Sequence, residues 1–319
     1  MSHWLWRIIT RWLISCAVWV WLPVVFAQPP EMRGRRVGER EYVAVSEVRR
    51  VYGLRSDQLV VRAQRREIEL DGVQHWLSLP VVETGGQLWM ARVDVLKTVD
   101  PVARAGQFRR LAPARVVMLD AGHGGTDRGA RSASGRTEKE LTLDVAQRVE
   151  RYLKGSGLHV VLTRRRDVTV SLSRRTAMAR ERRADLFVSI HFNSAMGSAH
   201  GIETFCLPPR GLPPTAVAEA RRVDHEPQSG NRFDAENVWL AHLIQKQLLQ
   251  ATGAVDRGVR RARFQVLRDA PCPAVLVECG FLSYRPEAAR IATVEYREQL
   301  ARAIAEGIRR YAQSRGAAS

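Results

Sequence analysis

Leu-Asp-Ala-Gly-His-Gly-Gly at 119–125, Ser-Ile-His-Phe-Asn at 189–193 and Leu-Val-Glu-Cys-Gly-Phe at 276–281 follow one pattern. Each sets a metal-capable or proton-transferring side chain at the end of an apolar run that reads as a buried strand. Strand ends are where open α/β sheets place their chemistry. Working outward, Val116–Asp120, Val160–Thr163, Leu186–His191, Ile202–Leu207 and Ala274–Cys279 are short apolar runs. The stretches between them have helical period: Leu141, Val145, Val149 and Tyr152/Leu153 form one stripe from Glu138 to Lys154, which stops at Gly155 and Gly157. The segments Val238–Gln250 and Val294–Tyr311 behave similarly. This alternation predicts an α/β fold over 114–313, a mostly parallel sheet flanked by helices.

His123, Glu138 and His191 make a two-histidine, one-carboxylate set suited to a catalytic zinc that keeps a coordination position for water. His123 follows a strand in a glycine-flanked turn, where missing side chains let metal and substrate approach the backbone. His191 ends its strand, and a parallel neighbour brings both imidazoles to one edge. Thr137-Glu138-Lys139-Glu140 fits a capping box: Thr137 caps the helix and Glu140 reaches back to the Thr137 amide. Glu138 is then free to point off the helix end. Glu278 closes the apolar run Ala274-Val275-Leu276-Val277, where a carboxylate is costly unless paired or used. It is the candidate general base; the alternative is an ion pair with one of the many arginines.

These motifs also carry a resemblance. In order, Asp-Ala-Gly-His-Gly-Gly, Asp127 with Gly129 and Ala130, Thr-Glu-Lys at 137–139, Leu-Thr-Arg at 162–164, Ser-Ile-His-Phe-Asn and Val-Glu-Cys-Gly-Phe resemble the zinc-dependent N-acetylmuramoyl-L-alanine amidases, over residues 115–311. The resemblance implies the zinc amidase (phosphorylase/hydrolase-like) fold and one zinc per catalytic domain, with His123, Glu138 and His191 as ligands. It further implies peptidoglycan as substrate and Glu278 as the group that takes a proton from water and returns it to the leaving L-alanine nitrogen. Asn193 is a candidate to hydrogen-bond substrate or to orient His191, and Asp120 to orient a ligand histidine or to cap its turn. Arg164 and Arg175 match family positions where a salt-bridged structural role is expected. Ala121 and Arg180 depart from the family's usual proline and asparagine without touching a ligand. His159, His200, His225 and His242 match nothing and read as surface or loop residues. A zinc peptidase cutting within the stem peptide, or a non-catalytic wall-binding protein, are the alternatives.

The remaining sequence sets the context. Arg7 and Arg11 precede an apolar run from Trp12 to Phe26 interrupted only by Ser15 and Pro23, and Val25-Phe26-Ala27 supplies a small-residue exit. Residues 1–27 therefore read as a secretory signal peptide cleaved after Ala27, with an uncleaved anchor as the alternative. The expected location is the periplasm or cell envelope. The +17 formal charge predicts attraction to a polyanion, and export excludes nucleic acid as the working partner. A monomer is expected, with a protein activator left open. Cys206, Cys272 and Cys279 are odd in number and are read as three buried thiols.

Residues 28–40 read as a linker. Residues 41–105 read as a small, mainly β accessory domain with a hairpin at Asp71-Gly72, weakly similar to copper-amine-oxidase-N-terminal-like domains and inheriting no copper chemistry. The insertion at 208–237 holds five prolines between a strand and a helix. A loop of that length is functional or disordered, and in some wall amidases an insertion there covers the zinc.

Overall fold

The runs at 116–121, 186–193 and 274–281 are buried on both faces, as strands inside a parallel sheet should be. The computed structural model describes residues 28–217 and 219–316, so the expected leader over 1–27 lies outside the described residues. In chain order the strands are β1 (Gly34–Val37), β2 (Arg40–Ala44), β3 (Leu59–Val61), β4 (Glu67–Leu70), β5 (Val73–Trp76), β6 (Val82–Thr84), β7 (Gln87–Ala91), β8 (Val116–Ala121), β9 (His159–Leu162), β10 (Leu186–Asn193), β11 (Ile202–Cys206), β12 (Asp256–Arg261) and β13 (Ala274–Phe281). The helices are α1 (Val45–Tyr52), the short α2 (Arg92–Asp94) and α3 (Asp100–Ala103), then α4 (Glu138–Leu153), α5 (Leu172–Glu181), α6 (Asp234–Thr252), α7 (Gln265–Arg268), α8 (Arg285–Ala292) and α9 (Val294–Ser314).

The main sheet has nine strands in the order β3-β4-β5-β12-β11-β13-β10-β8-β9. Strands β9, β8, β10 and β13 are parallel, while β11 runs antiparallel to β13. Alternate residues feed different cores. Val117, Leu119, Val188, Ile190, Val275 and Val277 pack into the core on one face, where α4, α6 and α9 lie against one another. Met118, Phe187 and Leu276 turn to the other, near α5 and α7. The stripe Leu141, Val145, Val149 and Leu153 of α4 is buried as its spacing predicts. Strand β12, Asp-Arg-Gly-Val-Arg-Arg, is too charged to read as a strand, yet it sits inside the sheet.

The segment expected to form one accessory domain divides between two sheets. Strands β1, β2, β7 and β6 build a separate antiparallel sheet, to which the expected linker 28–40 contributes β1, whereas β3, β4 and β5 extend the main sheet, β5 pairing with β12 through His75 and Val259. The Asp71-Gly72 hairpin forms as its sequence predicts, with φ of 51° and 75° at the two turn residues, the left-handed pair that such tight hairpins require. Cys206, Cys272 and Cys279 are free and buried.

Insertion 208–237 also departs from one expectation. It carries two 3-10 turns, Arg222–His225 and Ser229–Phe233, and Asp224 at its centre is buried in an ion pair with Arg263. Among the described residues, none of 208–237 before α6 lines the cavity described below. The segment is tied down beside the site rather than laid over it.

His242 corrects its reading as a surface residue. It is fully buried on α6, and its Nδ1 lies 3.1 Å from Nε2 of the equally buried His75 on β5. Its other nitrogen faces Asp71, 3.4 Å away, and Lys246 pairs with the same carboxylate at 2.6 Å. Burial above all holds both imidazoles below their ordinary pKa of 6.5; for His75 the neighbouring His242 and Arg261 add to it, while for His242 the Asp71 bond opposes it. A depressed folded-state pKa means that the unfolded chain binds the protons more readily. Stability is therefore fully present above about pH 6.5 and is lost as pH falls below it. Urea unfolding measured between pH 8 and 5 should show this loss, with a shallower slope in a His75→Leu variant. Equal slopes would rule the pair out as its source.

Candidate metal centre and active site

Register puts the reactive groups in one row. His191 of β10 is paired with Glu278 of β13, and both belong to the same alternate set as Phe187 and Leu276, so they emerge on one face. The pairing slips just beyond them, between His191 and Asn193, and such an irregularity re-aims the strand end. β8 lies on the other side of β10 and runs out into the turn that carries His123. His123 adopts φ of 60°, a left-handed conformation rare outside glycine and concentrated at functional sites.

Two glycines make room for the site. A Cβ at Gly122 would come within 2.3 Å of the His191 ring, and one at Gly129, whose φ is 63°, would come within 2.5 Å of a Glu138 oxygen. The turn is secured from below by two buried arginines. Arg164 donates to the carbonyls of Ala121 and Gly122, and Arg175 to those of Ala121 and His123. Arg175 also pairs with Asp120 at 2.6 Å, as a structural ion pair should. Arg164, expected to do the same, instead spends its donors on backbone and hydroxyl oxygens.

Glu138 begins α4 and is 4% exposed. Its Oε1 lies 3.0 Å from His123 Nε2 and 2.9 Å from His191 Nδ1, and it also accepts the Phe192 amide; Oε2 accepts the Ala130 amide at 2.8 Å. Burial alone pushes this carboxyl up, but the two imidazoles outweigh it and hold Glu138 well below the usual carboxylate range. The expected capping box of Thr137 and Glu140 forms, the Glu140 carboxylate accepting the Thr137 amide at 3.2 Å.

The His123, Glu138 and His191 donor atoms all lie within 4.8 Å of one another, the arrangement of a cation site with nitrogen and oxygen ligands. Neutral imidazoles and a carboxylate suit zinc. Asp127 accepts a hydrogen bond from His123 Nδ1 at 2.8 Å, which directs Nε2 toward Glu138. A carboxylate behind a metal-binding histidine fixes its ring and raises its basicity. Sequence reasoning gave Asp127 no such role, although its place four residues after His123 in a glycine-rich turn was the available signal. Asp120, the residue expected to orient a histidine, instead accepts from Thr163, Ser189 and Arg175 and ties β8, β9, β10 and α5 together. Asn193 does not touch His191; its amide donates to Glu203 at 2.7 Å.

The three donors open into a cavity of about 480 Å³, which Asn193 and Glu278 also line. Its apolar walls come from Val170 and Leu172 on one side and Phe264, Val266 and Leu276 on the other. Glu278 Oε2 is buried and has no hydrogen-bond partner. Burial first, then the nearby charges of Glu138 and Glu203, push the Glu278 carboxyl well above its usual range. A carboxylate with an unpartnered oxygen, beside two histidines and a second carboxylate in a cleft at the carboxyl ends of parallel strands, is a layout suited to hydrolysis.

Comparison with known proteins narrows the class. Residues 117–310 match the family described as N-acetylmuramoyl-L-alanine amidase, and the chain belongs to that family. It is 36% identical over 221 residues to the N-acetylmuramoyl-L-alanine amidase AmiC of Neisseria meningitidis, covering 61% of this chain and 52% of that one, so it spans about half of that relative. It is 34% identical to YqiI, a Bacillus subtilis protein of uncharacterized function, across 70% of this chain and 97% of that protein. Among solved structures, the catalytic domain of the amidase CwlV from Bacillus (Paenibacillus) polymyxa is 35% identical, with a TM-score of 0.51 over 62% of this chain and 97% of its own.

The close approach at Gly122 yields a direct test. Gly122→Ala should lower zinc affinity at least about tenfold by displacing the His191 ring, read as metal content of the purified, folded protein. Wild-type metal content would contradict the assigned ligand set.

Proposed function

We propose that the chain is an exported peptidoglycan amidase that hydrolyses the amide between the N-acetylmuramoyl lactyl group and L-alanine, with one zinc held by His123, Glu138 and His191. One observation carries this reading: the three convergent donors share a cavity with a buried, unpartnered carboxylate oxygen of Glu278. Zinc in such a site activates water and polarises the scissile carbonyl.

The chain's own residues supply the rest. Glu278 Oε2, free of any hydrogen bond in the protein, takes the proton of the attacking water. It then hands the proton to the alanine nitrogen as the C–N bond breaks. That oxygen borders the cavity with no protein donor competing for it, which leaves it open to the proton. Asp127 accepts the proton-bearing Nδ1 of His123, which leaves Nε2 as the nitrogen offered to a cation. The apolar walls keep bulk water from the reacting atoms.

Supporting context comes from composition. The +17 charge favours an anionic wall polymer, and the relatives are wall amidases, which places the chain in the cell envelope or outside the cell. The sequence at 1–27 accounts for export to the periplasm or envelope, with cleavage after Ala27.

Digestion of purified sacculi followed by mass spectrometry tests the reaction. Intact stem peptides beginning with L-alanine are the expected product, their release ceasing on chelation and returning with zinc. Cleavage inside the stem would replace this reading with a zinc peptidase. Glu278→Gln should lower kcat by about 10² to 10⁴ while binding zinc normally. Full turnover in that variant would remove Glu278 from the mechanism.

A further inference from the structure

A buried polar chain behind Glu278 is unused by the reaction above. Glu203 of β11 stands directly across from Glu278 of β13 and is 2% exposed. Two neighbouring carboxylates in so dry a place need compensation. Glu203 has it in full: Oε1 accepts the Asn193 amide at 2.7 Å, and Oε2 accepts Arg257 Nε at 2.9 Å and Arg260 Nη1 at 2.7 Å. Asn193 is held from its other end as well, its Oδ1 accepting the Ser194 amide at 2.7 Å. The side chain therefore meets the cavity in one orientation.

The two arginines are anchored in turn. Arg257 lies 4.8 Å over the Phe281 ring, and Arg260 lies 4.6 Å over the ring of Trp76. Trp76 Nε1 donates to the Arg257 carbonyl at 3.0 Å. Trp76 belongs to β5, in the N-terminal segment, so a contact chain runs from that segment to the cavity wall. Cation–π stacking of this kind is strongest where the cation is desolvated, as it is beside a buried Glu203.

We propose that Glu203 is a positioning residue of the amidase site, fixing the Asn193 amide at the cavity wall while two arginines, one stacked on Trp76 of the N-terminal hairpin, hold Glu203 in place. The inference rests on the amidase reading. It makes the hairpin β4–β5 part of the catalytic unit, because Trp76 at 4.6 Å is the nearer of the two rings under the Arg260 guanidinium, Phe205 lying at 5.9 Å. Asn193 then acts as a group presented to the substrate, and Glu203 acts only through it.

Steady-state kinetics of the full chain on a soluble muramyl peptide, with thermal melts of each variant, decide the matter. Asn193→Ala and Glu203→Gln should each lower kcat/KM about tenfold, and the double variant should fall no further than either, since the two act as one unit. Losses that multiply would overturn the proposal. Trp76→Ala should lower kcat/KM, and Trp76→Phe, which keeps a ring under Arg260, should restore most of it. A role in stability alone would instead lower melting temperatures and leave kcat/KM per folded molecule unchanged. Should Glu203→Gln fail to fold, wild-type kinetics in both Asn193→Ala and Trp76→Ala would overturn the proposal. An inactive wild-type chain would sink the amidase reading and this inference with it, whereas an active wild type with unaffected variants sinks this inference alone.

Discussion

Side chains of a strand alternate between faces, and that constraint governs the whole centre. Because β10, β13 and β11 are aligned in register, His191, Glu278 and Glu203 come out in one row on one face of the sheet. A slip of one residue in any of the three would send its polar group into the core on the opposite face and bring an apolar residue to the cavity. The aliphatic residues Val188, Ile190, Val275 and Val277, which fill that opposite core, are thus what hold the reactive row in place. Packing of the apolar half of each strand positions the chemistry of the other half.

The second requirement is that acidic and basic groups be crowded without leaving any charge stranded. Glu138 is stabilised between two imidazoles and by two backbone amides, and Glu203 by two arginines and an amide. Asp120 is satisfied by a hydroxyl from each neighbouring strand and by Arg175. Glu278 differs from these three carboxylates in having an oxygen left unpartnered. A buried carboxylate oxygen without a partner is costly to keep, and that cost is the physical ground for the proposed role of Glu278 in proton transfer.

The α/β class, the parallel core strands, the α4 stripe and the convergence of His123, Glu138 and His191 were legible from residue type and spacing. Residues 41–105 read as one small domain, but they divide between two sheets, and that division was not legible. Strand pairing between β5 and β12 is a long-range event, and β12 hides its nature: its three arginines and aspartate are tolerated inside the sheet because Glu203 receives Arg257 and Arg260, the Leu207 and Lys97 carbonyls receive Arg261, and Asp256 accepts the Gln74 amide. His242 was misread for the same reason. A lone histidine on a helix gives no sign of a distant partner, and His75 arrives from 167 residues away.

Local chemistry in the chain therefore determined which side chains can bind a metal, where strands end and where the hairpin turns. Those properties depend on neighbours within a few residues, through periodicity and backbone freedom. Tertiary structure alone decided that Asp127 rather than Asp120 backs His123, that insertion 208–237 lies beside the cavity, and that an N-terminal tryptophan braces the arginines behind Glu278. Asp127 takes the role because Thr163, Ser189 and Arg175 occupy Asp120; the other two depend on contacts between distant segments, and the energy that selects them comes from burial and charge compensation that exist only after the sheet has assembled.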